Sequence, residues 1–323
     1  MALPYRVLLY YCFAEVQDAA LLQRQQLEKC LELDLRGRII VAPEGLNGTV
    51  SGTPEACQAY MDWVHADPRF AGTDFKIEDV AEQAFARINV RLKPEIVHAG
   101  LPHIKPYERT GQHLTPAEWK AMMQDPDVVL LDVRSDYEHN LGHFKGARRL
   151  DIENFRELPE HLHEIEDLKS KKVLTYCTGG IKCEKASAFL LEQGFENVYQ
   201  LLGGIIRYGL EEGGENFDGK CYVFDNRVAV EVNQVNPTVV AQCYVCGTQT
   251  ERMVNCANSV CNRHVTICPD CGVKLEGACS EACQQHPAKR PYNERGVYTT
   301  DLNGYKPGLG YEGLFKNPDS ARA

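Results

Sequence analysis

The chain has 323 residues, 44% apolar and 25% charged, an ordinary globular composition with length for more than one domain. No apolar run approaches the roughly 20 residues of a membrane helix, and Val7–Ala14 reads as a strand rather than a signal peptide because it is short and lacks a small-residue cleavage pattern. Fourteen cysteines without a secretion signal argue against a disulfide framework and for a reducing, cytoplasmic setting, and a net charge of −10 requires any nucleic-acid partner to be met by a local basic patch.

Arg6–Phe13 is strand-like, and Gln17–Leu33 is helix-like with Leu21, Leu22, Leu27 and Leu31 at helical spacing. Gly37–Ala42 is a second strand. Pro43, Gly45, Asn47 and Gly48 carry turn chemistry, which leaves Thr49–Ser51 as a short third strand. Thr53 caps a second helix running to Val64, with Pro54 at its first position and Glu55 in its first turn. Phe75–Val80 and Ile88–Leu92 supply further strands. The order βαββαβ predicts a ferredoxin-like, acylphosphatase-like α+β domain over residues 1–97.

Gly100, Pro102 and Pro106 mark a linker, 98–112. A helix then starts at Thr115-Pro116 with Glu118 beside it. Strands are predicted over Asp127–Val133, Lys172–Tyr176 and Val198–Leu202, with a helix over Ile181–Gln193 between the last two. Alternating strands and helices predict an α/β unit over 113–214 with a parallel sheet and helices on its faces. A connector follows over 215–242, then a cysteine-rich module over 243–290 and an irregular tail over 291–323.

The central unit carries the chemistry. Cys177-Thr178-Gly179-Gly180-Ile181-Lys182-Cys183 lies between a strand and a helix, where open α/β sheets bind their ligands. The helix N-terminus offers free N–H groups to an anion, and the glycines let them converge. Lys182 adds a positive charge. A thiol there ionises more easily than an ordinary cysteine, whose pKa is about 8.5. Cys183 is read either as a thiol that resolves an oxidised Cys177 or as a packing residue. Asp132 and Arg134, after the first strand of the unit, are read as an ion pair that supports the loop. His143 is read as a satisfied, half-buried histidine. No nucleotide- or flavin-binding motif is present.

Eight of the fourteen cysteines lie between Cys243 and Cys283. They form the pairs Cys243/Cys246, Cys256/Cys261, Cys268/Cys271 and Cys279/Cys283, enough thiolates for two tetrahedral zinc sites. Sequential and cross-braced pairing both remain open, and so does replacement of a thiolate by His264 or His286.

Residues 113–214 resemble a rhodanese domain. The motifs are Leu131-Asp132-Val133-Arg134, Glu138 with Leu141-Gly142-His143-Phe144-Lys145-Gly146-Ala147, the Cys177 loop, and Leu202-Gly203-Gly204. Rhodaneses often carry arginine five residues after the cysteine, where this chain has Lys182. Phosphatases of similar fold need arginine six residues on, where it has Cys183. The whole chain resembles the tRNA uridine hydroxylase family through Ala42–Thr49, Val90–Val97 and Cys177–Lys185. That resemblance implies oxygen-dependent hydroxylation of the wobble uridine of tRNA at carbon 5, with molecular oxygen as co-substrate. Cys177 would act either by adding to carbon 6 or as a persulfide or oxidised sulfur. The alternative activity is sulfur transfer from a persulfide on Cys177. A tRNA anticodon loop needs cations and aromatic rings. Arg87, Arg91, Lys93, Lys105, Arg109, Lys145, Arg148, Arg149, Lys182 and Lys185 are the candidate cations, and Tyr107, Phe144 and Tyr208 the candidate stacking rings.

Overall fold

The computed structural model describes residues 3–225, 227–294 and 296. Most of the tail expected over 291–323 therefore lies outside the described residues. No helix among them is long and apolar enough to cross a membrane.

The first domain comprises β1 (Tyr5–Phe13), α1 (Ala19–Glu32), β2 (Arg36–Ala42), β3 (Gly45–Gly52), α2 (Pro54–His65), β4 (Lys76–Val80) and β5 (Ile88–Leu92). Its sheet has the order β4-β1-β3-β2-β5, with β5 parallel to β2 and the other pairs antiparallel. This is the ferredoxin-like arrangement with one added edge strand. The Thr53 hydroxyl accepts from the Ala56 N–H at 3.2 Å, and Pro54 opens α2. Two local expectations fail. Only Pro43 and Glu44 form the turn. Gly45, Asn47 and Gly48 belong to β3, because that segment pairs with β1 on one side and β2 on the other. In α1, Leu21 and Leu31 face solvent, and Ala19, Leu22, Gln26 and Cys30 form the buried stripe. Gln26 is tolerated there because it accepts the Tyr60 hydroxyl at 2.6 Å.

The central domain comprises β6 (Gln112–Leu114), α3 (Pro116–Met122), β7 (Val128–Asp132), α4 (Asp136–Leu141), β8 (Gly142–Phe144), β9 (Arg148–Arg149), β10 (Lys172–Tyr176), α5 (Ile181–Glu192), β11 (Asn197–Leu201) and α6 (Gly204–Glu212). A Thr115/Glu118 capping box starts α3. The sheet is wholly parallel, in the order β6-β11-β10-β7-β9. Along β10, Val173 enters the core on the α5 side, whereas Leu174 and Tyr176 enter the core on the α3 and α6 side. Burial on both faces explains why Val173 and Leu174, neighbours in sequence, are both apolar. From β10 the chain proceeds to β11 on one side, and from β7 to β9 on the other. The switch point between them holds Cys177 and the Asp132–Arg134 segment.

The stretch expected as a connector is structured. β12 (Phe217–Tyr222) pairs with β8 and with β13 (Ala229–Glu231). The cysteine-rich module follows, with a hairpin of β14 (Met253–Asn255) and β15 (His264–Thr266) and two short helices, α7 (Pro269–Lys274) and α8 (Glu281–Gln284).

Candidate active site

The Cys177 loop is shaped from both ends. Gly180 caps α5 at φ +100°, a conformation that favours glycine, and its N–H donates to Cys177 Sγ at 3.1 Å. The loop carbonyls are held in turn by the start of α6. Ile205 N–H donates to Cys177 O at 3.0 Å and Ile206 N–H to Thr178 O at 3.1 Å. Gly204 makes this possible: at φ +67°, any Cβ there would lie 2.6 Å from both carbonyl oxygens. The Gly203-Gly204 motif thus belongs to the reactive loop, 27 residues before it in sequence but in contact with it.

Cys177 is 1% exposed. Burial pushes its thiol up. The Cys183 thiol, the Lys182 charge and the N–H groups of Cys183 and Lys182 outweigh burial and bring it down to about 7. Burial and the neighbouring Cys177 push the fully buried Cys183 thiol well above its ordinary range. The two sulfurs therefore divide the work: Cys177 carries the negative charge and Cys183 keeps its proton. Lys182 is tied to the buried Glu138 carboxylate, a partner that sequence reading missed. Its local signal was Ser135 three residues earlier, whose N–H donates to Glu138 Oε2 at 3.1 Å.

Asp132 and Arg134 form a buried ion pair at 2.6 Å. Asp132 also accepts from Tyr176 OH at 2.9 Å and meets His139 Nδ1 at 2.8 Å. Arg134 Nη2 donates to Gly142 O at 2.7 Å. The pair braces the strand ends under the loop. His143 stacks on His139 with ring centroids 4.1 Å apart, and burial lowers its pKa.

The first domain packs directly on the loop. A Cβ on Gly179 would meet Leu9 at 3.0 Å, and one on Gly180 would meet the Tyr11 hydroxyl at 2.8 Å. Tyr11 OH donates to Glu184 Oε1 at 3.0 Å, and His113 Nε2 meets the same oxygen at 2.9 Å. Lys76, the cross-strand partner of Leu9, shares its face; its buried ammonium lies 4.8 Å from the Tyr11 ring centroid and 3.3 Å from Asp74. The three segments quoted for the whole-chain resemblance converge at Lys185. Its ammonium lies 2.8 Å from Glu44 and 2.6 Å from Glu95. Lys185 is fully buried, so its expected role as a tRNA contact is corrected: it joins the two domains.

Other expected contacts divide by exposure. Arg91, Lys93 and Lys145 are exposed. Arg148 pairs with Asp167, and Arg149 with Asp136 and Asp151, so their charge is already balanced. Phe144 and Tyr208 are core residues at 0% exposure and cannot stack on a base, whereas Tyr107 is exposed.

The eight cysteines form two groups, Cys243/Cys246/Cys268/Cys271 and Cys256/Cys261/Cys279/Cys283, with all sulfurs of a group within 4.8 Å of one another. The first pair joins the third and the second joins the fourth, so the module is cross-braced. A tetrahedral ion with metal–sulfur bonds of about 2.3 Å sets sulfurs about 3.8 Å apart. The distances Cys246–Cys268 at 3.7 Å, and Cys261–Cys279 and Cys279–Cys283 at 3.8 Å, fit that geometry. The N–H groups of Cys268 and Cys279 donate to Cys243 and Cys256 Sγ at 3.3 and 3.4 Å, as thiolate ligands require. The two groups can each bind a metal ion. His264 is not needed as a ligand; it stacks on Tyr137 at 4.9 Å.

Fold and site define a class: an acylphosphatase-like domain docked on a rhodanese-type reactive-cysteine loop, followed by a module with two four-cysteine groups. Family models agree in each part. A UPF0176 acylphosphatase-like domain matches residues 5–96, a rhodanese-like domain 115–209 and a rhodanese C-terminal domain 218–284. A tRNA uridine(34) hydroxylase from Cytophaga hutchinsonii is 61% identical over 94% of this chain and 98% of its own. Proteins of the same name from Streptococcus pyogenes and Streptococcus agalactiae are 47% identical over 90% of this chain and 92% of theirs. The chain belongs to the tRNA uridine(34) hydroxylase family. These relatives do not favour the sulfurtransferase alternative.

Proposed function

We propose that this chain hydroxylates the wobble uridine of tRNA, position 34, at carbon 5 to give 5-hydroxyuridine, with Cys177 as nucleophile. The observation that carries the reading is the Cys177 thiol itself. It is buried, brought down to about 7, and cradled at a helix N-terminus, in a chain 61% identical to a named tRNA uridine(34) hydroxylase.

The thiolate adds to carbon 6 of the uracil ring and makes carbon 5 an enolate carbon. That carbon attacks dioxygen, and the peroxide anion so formed takes a proton from solvent to give a hydroperoxide. A two-electron reductant of the thiol class, with two protons, converts the hydroperoxide to hydroxyl and water. Loss of the carbon 5 proton then expels Cys177 and restores the double bond. Cys183 supplies the proton that screens the Cys177 charge between turnovers, and Lys182 favours the thiolate. Arg91, Lys93 and Lys145 are the exposed cations for the phosphates of the anticodon stem and loop. Two structural zinc ions, held by the two four-cysteine groups, would fix the C-terminal module and take no part in the chemistry. The site of action is the cytoplasm, where tRNA and reduced thiols coexist.

The test is nucleoside analysis of tRNA from cells whose only copy carries Cys177→Ala. Loss of 5-hydroxyuridine is expected, and a full content would overturn the reading. With labelled dioxygen, label is expected in the base; label arriving from water would overturn the choice of oxidant.

A further inference from the structure

Next to the Cys177 loop, the turn after β12 brings an aromatic ring to the surface. Phe224 is 44% exposed, and Lys182 Nζ lies 5.8 Å from its ring centroid. Behind it runs a row of rings. Phe224 meets Tyr222 edge-on at 5.1 Å, Tyr222 meets Tyr137 edge-on at 5.1 Å, and Tyr137 stacks on His264 at 4.9 Å. Tyr222 O accepts the hydroxyl of Thr178, the residue after Cys177, at 3.2 Å. The row is thereby tied both to the reactive loop and to the cysteine-rich module, and Phe224 is its outer end.

The first domain adds a cation at the same place. Arg38 Nη1 lies 3.4 Å from Phe224 O. Among the described residues no carboxylate pairs with Arg38. Arg227, beside Phe224 in the same cavity wall, is by contrast paired with Asp225 and Glu78. A cavity beside Phe224, bounded also by Thr178, Leu9 and Lys76, holds about 40 Å³, room for about one water. This cavity is too small to hold a base, which leaves the surface ring as its contact on this side of the loop.

We propose that Phe224 and Arg38 form the RNA-binding lip of the Cys177 site, Phe224 stacking on a base of an unpaired strand and Arg38 holding a phosphate. Singly exposed aromatic residues are ordinary. This one lies against the lysine of the reactive loop, is backed by three further rings and has at its side a guanidinium that, among the described residues, no carboxylate neutralises. Every base offers a π face to such a ring, and unpaired RNA is bound by this combination of rings and cations. The proposal rests on tRNA being the substrate.

The test uses the full chain and an RNA anticodon stem-loop with uridine at the wobble position. Binding is read by fluorescence anisotropy and turnover by nucleoside mass spectrometry. Phe224→Ala and Phe224→Leu are both expected to raise Kd and KM about tenfold, a typical effect of losing one base–aromatic stack, with a smaller change in kcat. Phe224→Trp is expected to restore binding. Arg38→Gln is expected to reduce the log–log salt slope by about 0.7 to 0.9, one phosphate's share. Wild-type affinity in Phe224→Ala overturns the stacking role, as does Phe224→Leu binding as well as wild type, which would leave only apolar packing. An unchanged salt slope overturns the Arg38 contact. Wild-type protein that binds the RNA but does not hydroxylate it refutes the proposed function and leaves the lip standing. Wild-type protein that does not bind it refutes both.

Discussion

Removing the Lys182 charge should move the titration of Cys177. The wild-type thiol at about 7 is roughly half ionised at neutral pH, whereas an ordinary cysteine near 8.5 is about 3% ionised. The difference amounts to about 2 kcal/mol in favour of the thiolate, held against burial by Cys183, Lys182 and the loop N–H groups. Lys182→Met deletes one of these and also strips the buried Glu138 carboxylate of its cation. A rise of about one unit or more is expected, a loss of about 1.4 kcal/mol or more. Glu138→Gln should have the opposite sign, since it frees Lys182 to act on Cys177 alone, and the double variant should lie between the two. The measurement is thiolate absorbance in the ultraviolet as pH rises from about 5 to about 10, taken as the difference from Cys177→Ala. The depressed pKa also has a stability consequence. Folding stabilisation from the thiolate is complete above the unfolded value of about 8.5 and is lost as pH falls through about 7. A Lys182→Met midpoint still at about 7 would refute the role of the Lys182 charge and leave the Cys183 thiol and the loop N–H groups as sufficient.

Three further outcomes follow from the geometry. Gly204→Ala places a methyl 2.6 Å from the Cys177 and Thr178 carbonyls at a positive φ, so the loop must shift; turnover should fall about a hundredfold while the tRNA Kd changes little. Lys185→Met leaves Glu44 and Glu95 without their buried cation and should cost about 3–5 kcal/mol in urea unfolding, against less than about 1 kcal/mol if the pair were merely superficial. Five of the ten buried residues in the core of the C-terminal module are cysteines, so chelation should release about two zinc ions per chain and unfold residues 243–290; a module that keeps its amide protection without metal would contradict this.

Much of this molecule could be read from local pattern. The Thr53 and Thr115 caps, the adjacent apolar Val173 and Leu174 of β10, the glycines of the Cys177 loop and the close pairing of the cysteines each act within a few residues. Their consequences, helix starts, a buried strand, an anion cradle and metal-ligating turns, needed no knowledge of the rest of the chain. Where a short-range pattern misled, a long-range partner had overruled it. Gly45, Asn47 and Gly48 are strand residues because β1 and β2 flank them, and Leu21 and Leu31 are exposed because α1 turns its Gln26 stripe inward.

Charge partners and domain docking belong to the tertiary structure. Lys185 looked like a surface cation beside the reactive loop, yet its partners Glu44 and Glu95 lie 141 and 90 residues away in sequence and under 3 Å away in space. Which cysteine pairs combine, that Leu9, Tyr11 and Lys76 cover the loop, and that Gly204 underlies it depend equally on how separate segments meet. A motif defines what chemistry a segment can perform, because that depends on neighbours along the chain. Which residues share the site depends on packing between domains, and no periodicity in the sequence encodes it.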